Sequence, residues 1–170
     1  MFIIANVGVP MLLVVGPILI LGLLPIVLIE AGLYRWRLGI GLERALRGSL
    51  GANLLSTLVG VPLTWVALVI LQIATGGGGA HGVGIQAVTW QAPWLTPYRG
   101  HLFWMIPAAG MMLCVPFMVA SVIIERNVLY NIWQDVDRAN IRITCWLANG
   151  TTYGCLIAFW GIQLIRLLSH

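Results

Sequence analysis

Two glutamates carry the chemistry that this sequence offers. Glu30 and Glu125 each close a long apolar run, and each is followed by an asparagine at nearly the same distance: Asn53 after 23 positions and Asn149 after 24. Hydroxyls follow both asparagines within a turn, Ser56 and Thr57 after the first, Thr151 and Thr152 after the second. A carboxylate, a carboxamide and hydroxyls at an apolar–polar boundary can hold an ion, a lipid headgroup or a small ligand, or can bond one helix to another. With Arg126 and Arg138, the residues Glu30, Asn53, Glu125 and Asn149 make a candidate polar site at the cytoplasmic mouth of a helical bundle. The plainer expectation is that Asn, Ser and Thr join the helices while each Glu pairs with a nearby connector arginine.

Other chemistries are excluded by what the chain lacks. There is no HExxH, no nucleophile elbow and no phosphate-binding glycine loop; the four glycines Gly76 to Gly79 read as a flexible linker. His81, His101 and His170 all fall in or beside an outer aqueous layer, so this chain supplies no histidine pair for a buried haem. No metal site is expected. Cys114, Cys145 and Cys155 sit in apolar runs without a CxxC pair and read as small buried hydrophobes. Trp90, Trp94, Tyr98, His101 and Trp104 form a candidate outer docking or interfacial belt, since indole and phenol rings favour the headgroup level.

The elements that must position these residues follow from composition. The 170 residues are 60% hydrophobic and 8% charged, and the mean hydropathy is +0.97. A soluble domain carries about 25% charged residues, so most of this surface must face lipid. Four apolar windows, 7–29, 53–73, 102–124 and 143–165, reach the ~20 residues that cross a bilayer as helix, and none contains Lys, Arg, Asp or Glu. The first has no basic residues before it and is too long for a signal-peptide core, so it reads as a retained span. Prolines within the windows, such as Pro62 and Pro116, predict kinks, because neighbouring helices re-satisfy the freed carbonyls.

Charge sets the orientation. Arg35, Arg37, Arg44, Arg47, Arg126, Arg138 and Arg142 lie in the connectors between spans one and two and between spans three and four, against Arg99 and Arg166 on the other side. This bias places both connectors in the cytoplasm and both termini on the non-cytoplasmic side. The basic residues flank apolar runs, which excludes a nucleic-acid partner in spite of the formal charge of +4. Residues 34–50 and 127–142 alternate charge with apolar side chains and predict amphipathic helices on the cytoplasmic face.

The halves of the chain also resemble each other. Ile29-Glu30, Leu33-Tyr34 and Trp36 recur as Ile124-Glu125, Leu129-Tyr130 and Trp133, and Ala52-Asn53 recurs as Ala148-Asn149. A duplicated helical hairpin is the simplest account. The expected fold is therefore an all-α integral membrane bundle of four transmembrane helices, arranged as two parallel hairpin repeats with interfacial cytoplasmic helices. It is one membrane domain, with repeat 1 over about 1–73, a Gly/Trp-rich outer loop over about 74–100, and repeat 2 over about 101–170.

For function, missing catalytic chemistry and lateral surfaces of small and aromatic residues point to a structural or accessory subunit of a larger membrane complex, an energy-converting one. Its partners would be the bilayer and other membrane subunits or further copies of itself. The alternatives are a small homo-oligomeric transporter or channel, and a four-span enzyme acting on lipophilic substrates with Glu30, Glu125, Arg126 and Arg138 at its mouth. The sequence requires no cofactor and leaves room for bound lipid or pigment.

Overall fold

The computed structural model describes residues 9–74 and 104–169. Four helices make up these residues: α1 (Val9–Leu38), α2 (Leu42–Ala74), α3 (Met105–Ile132) and α4 (Arg138–Leu168). No strand occurs among the described residues. Two stretches, Gly110–Ile132 and Arg138–Leu168, are long and apolar enough to cross a membrane, with mean hydropathies of 1.7 and 1.3. Pro62 and Pro116 lie inside continuous helices.

The expected interfacial helices do not form as separate elements. Both connectors are tight turns, and the amphipathic residues extend the long helices instead. Between α1 and α2 only Gly39, Ile40 and Gly41 are non-helical. Gly39 takes a left-handed φ of +66° while its N–H bonds the Arg35 carbonyl at 3.1 Å, which ends α1 as a glycine commonly ends a helix. Between α3 and α4 the chain turns over Trp133 to Asp137. The Asp137 carboxylate accepts from the Asn140 N–H at 3.0 Å and caps α4, a contact worth about 1 kcal/mol. Sequence periodicity could not separate these cases, because an amphipathic extension of a long helix and a short surface helix share the same pattern.

The helices pack in cyclic order: α1 and α3 each lie against both α2 and α4. The buried faces explain the arrangement. On α2 the buried residues are Ala45, Gly48, Ser49, Ala52, Asn53 and Ser56; on α4 they are Ile141, Thr144, Cys145, Ala148, Asn149 and Thr152. Both sets follow the i, i+3, i+4, i+7, i+8, i+11 spacing of one helical stripe, and they coincide when one is shifted by 96 positions. The residues are small, so the backbones approach closely.

The α1–α2 and α3–α4 connectors close over this core. Trp133, fully buried at the end of α3, packs edge-on against Tyr34 of α1, with centroids 5.1 Å apart and planes at 71°. Its indole lies directly on Gly48 of α2, where a β-carbon would fall inside the ring. Farther along, Gly110 of α3 receives Trp160 of α4 in the same way, with a β-carbon there 2.8 Å from Cε2. Each tryptophan therefore requires the glycine opposite it. Arg44, in the first turn of α2, forms an ion pair with Asp135 of the α3–α4 turn.

Candidate functional site

The two glutamates face the interior from diagonal helices. Glu30 on α1 and Glu125 on α3 are each 1% exposed, although both side chains are carboxylic acids. Each is held by the asparagine at the equivalent place in its hairpin: Asn53 Nδ2 donates to Glu30 Oε2 at 2.6 Å, and Asn149 Nδ2 donates to Glu125 Oε2 at 2.7 Å. The stripes on α2 and α4 position these amides, because Asn53 and Asn149 fall on the buried face of an otherwise apolar helix.

The second oxygen of each carboxylate is reached from the other hairpin. Ser56 of α2 donates to Glu125 Oε1 at 2.9 Å, and Thr152 of α4 lies 3.3 Å from Glu30 Oε1. A closed circuit of hydrogen bonds therefore passes through all four helices, from Glu30 to α2, to Glu125, to α4 and back. Smaller contacts repeat the pattern. Ser49 Oγ lies 3.3 Å from the Val27 carbonyl and 3.4 Å from Glu30 Oε2. At the equivalent place Cys145 Sγ lies 3.9 Å from the Val122 carbonyl. Asn53 also bonds back to the Ser49 carbonyl at 3.0 Å, and Asn149 to that of Cys145 at 3.2 Å.

The geometry fixes how near the acids are. Asn53 and Ser56 lie three residues apart on α2, about 4.5 Å of rise, yet bond different carboxylates; Asn149 and Thr152 do the same on α4. Both carboxyl groups therefore lie within one turn along the bundle axis. Two full negative charges on neighbouring buried carboxylates repel each other, the more so as the effective dielectric falls below that of water. Among the described residues, the hydrogen-bond donors that reach the two carboxylates, Asn53, Asn149, Ser49, Ser56 and Thr152, are neutral.

The expected pairing of each Glu with a connector arginine does not occur. The arginine ion pairs among the described residues are Arg44 with Asp135, and Arg47 with Glu43 at 2.6 Å. The reason is register. Arg35 and Arg37 lie at the end of α1, and Arg47 and Arg142 fall on the exposed sides of α2 and α4, while the asparagines stand directly opposite the acids. Arg126 is half-buried with its Nε unpartnered, and Arg138 is exposed, its guanidinium 5.6 Å from the centre of the Tyr130 ring. The structure thus brings Glu30, Asn53, Glu125 and Asn149 together, leaves Arg126 at the edge and sets Arg138 apart.

Of the outer belt, Trp104 precedes α3 and is exposed; Trp90, Trp94, Tyr98 and His101 lie outside the described residues. Of the three cysteines, Cys114 and Cys145 are buried and Cys155 is exposed. Three members of the layer carried no sequence signal of their own: Ser49, Cys145 and Tyr34. Ser49 and Cys145 each precede an asparagine by four residues, and Tyr34 follows Glu30 by four, so helical spacing from the acid and amide would have found them.

Outside the layer, the Arg44–Asp135 pair is the clearest electrostatic feature. Hydrogen bonding from Arg44 holds the Asp135 carboxyl down at about 2. Both groups are well exposed, so the pair ties the start of α2 to the α3–α4 turn without contributing much to stability. No family model, no curated protein and no solved structure matches this chain.

Proposed function

We propose that this chain is an integral membrane protein of four spans, built from two equivalent hairpins, that serves as a structural or accessory subunit of a larger membrane assembly. One observation carries the reading: every helix exposes large apolar side chains, while the polar ones within the apolar runs pair inward. Leu24 and Leu28 of α1, Leu58 and Ile70 of α2, Val115 and Ile123 of α3, and Phe159, Ile162 and Ile165 of α4 are all exposed. Such a surface suits lipid and the flanks of other membrane helices. The 95-position shift between Glu30 and Glu125, with the 96-position shift between the α2 and α4 stripes, supports the duplicated hairpin. The arginine bias places the two short connectors in the cytoplasm and the termini on the opposite side.

Extraction of the tagged protein from its native membrane in a mild detergent, followed by mass spectrometry of what accompanies it, tests this reading. Stoichiometric membrane partners are expected. Recovery of the chain alone, or only with copies of itself, would overturn the subunit assignment.

A second reading, a small transporter working as a homo-oligomer, has one observation in its favour. Two buried acids sit at equivalent depths with neutral donors around them, as a carrier's coupling site would require. Under this reading, exchanging Asn53 and Asn149 for leucine abolishes ion flux into vesicles that contain only this protein. Undiminished flux in that variant, or none from the unaltered protein, removes it.

A further inference from the structure

We infer that the layer between Glu30 and Glu125 binds one positive charge, a proton or a small monovalent cation, shared by the two carboxyl groups. The inference does not depend on whether the chain works in an assembly or alone.

Charge balance comes first. Both carboxyl groups are 1% exposed and lie within one helical turn of each other along the bundle axis, with only neutral groups donating to them. Neutral donors soften the burial of one carboxylate, but two side by side in an apolar bundle require a compensating charge. The donors are also over-subscribed. Thr152 has one hydroxyl proton and three acceptors in reach, the carbonyls of Ala148 and Asn149 and Glu30 Oε1. Ser56 divides its proton between Glu125 and the Asn53 carbonyl.

A second observation points to a ligand. Tyr34 lies one turn beyond Glu30 on the same helix and is fully buried beside Cys145 and the two acids. Its hydroxyl has no oxygen or nitrogen partner, and only the Cys145 thiol, a weak hydrogen-bonding group, stands beside it. A phenol buried at that depth normally finds a partner, and its free lone pairs are a ligand for a cation or an acceptor for a proton-bearing group. The hydroxyls of Ser56 and Thr152 and the carboxylate oxygens complete a set of hard oxygen atoms. Divalent metals are disfavoured, because no group of three or more His, Cys, Asp or Glu gathers among the described residues.

The titratable and charged groups facing the layer are few. They are Tyr34 from α1, Arg126 at the edge from α3, and Cys145 and Tyr153 from α4. From α2 the layer receives only Ser49, Asn53 and Ser56.

The test uses the full-length protein in lipid nanodiscs. Its thermal midpoint is followed by tryptophan fluorescence from pH 5 to 9, in choline chloride and in lithium, sodium or potassium chloride at equal ionic strength. In choline the midpoint should fall by about 3–6 °C toward high pH, a shift of the size expected for one lost compensating interaction. Recovery on adding one of the alkali cations identifies a cation site; a fall that no cation reverses identifies the proton. The double variant E30Q/E125Q should lose both dependences. A wild-type midpoint indifferent to pH and cation, or a dependence unchanged in the double variant, overturns the inference. Should that variant fail to fold, infrared spectroscopy of the wild type decides. A protonated-carboxyl band present at pH 6 and removed by alkali or by the cation is expected, and its absence at every pH contradicts the inference.

Discussion

Ser56 and Glu125 stand 69 positions apart in the chain, yet the serine hydroxyl meets the glutamate carboxylate at 2.9 Å in the middle of the bundle. With its counterpart from Thr152 to Glu30, this bond makes each acid common to both hairpins. The hairpins are thereby bonded across, as well as packed against each other.

Replacing Ser56 with alanine should loosen that link. The expected loss is about 0.6–2 kcal/mol, the range measured for hydrogen bonds between membrane helices. Reversible unfolding in mixed micelles measures it, and the Thr57→Ala control should cost less, since Thr57 lies off the buried stripe. Equal effects at the two positions would show that the serine bond does not hold the hairpins.

The amides should matter more than the hydroxyls. Asn149→Leu leaves Glu125 without its shortest hydrogen bond, 2.7 Å, and keeps the acid buried. A buried group stripped of its partner costs about 1–3 kcal/mol, more when charged. The same unfolding assay should rank Asn149→Leu and Asn53→Leu alike and both above Ser56→Ala. A large difference between the two asparagines would contradict the equivalence of the hairpins.

Much of this arrangement was legible in the sequence, and physics explains where legibility stopped. Glu30, Asn53, Glu125 and Asn149 stood out because polar residues inside apolar runs are costly and must be paired. Their spacing marked the repeat, but the pairing of each acid with an asparagine appears only in the structure. The arginines misled because proximity along the chain says little about which face of a helix a side chain takes. Arg126 adjoins Glu125 in sequence but is half-buried and forms no ion pair with it, and Arg138 rests over Tyr130. The connectors were misjudged because one left-handed glycine, Gly39, and one capping aspartate, Asp137, decide between a tight turn and a surface helix. Trp133 read as a connector residue, and only its contact with Gly48 reveals it as core.

That contact gives a third prediction. In Gly48→Ala the new methyl collides with the Trp133 indole, and the tryptophan, fully buried against Tyr34, has little room to retreat. Overpacking of this kind costs about 1–3 kcal/mol. In a Trp133→Leu background the same alanine should cost less, because the ring it strikes is gone. Unfolding midpoints of the four proteins check this, and strict additivity would rule the contact out.

The Arg44–Asp135 pair should show in acid. Asp135 is held at about 2 in the folded chain against an ordinary 3.8. Its contribution is therefore complete above about 3.8 and is lost as pH falls through about 2. The stability difference between wild type and Asp135→Asn should be small, weakened by salt, and should vanish across that window. A difference that grows below pH 3.8 would have the wrong sign for this pair.

The central claim is that the carboxylate layer bonds one hairpin to the other, and a double-mutant cycle on Ser56 and Glu125 tests it most directly. Stabilities of the wild type, Ser56→Ala, Glu125→Leu and the double variant are measured in one lipid or micelle system. A favourable coupling of about 0.6–2 kcal/mol between the two positions is predicted. A coupling of zero, with the two losses simply adding, would mean that the bond between the hairpins contributes nothing and would contradict the account.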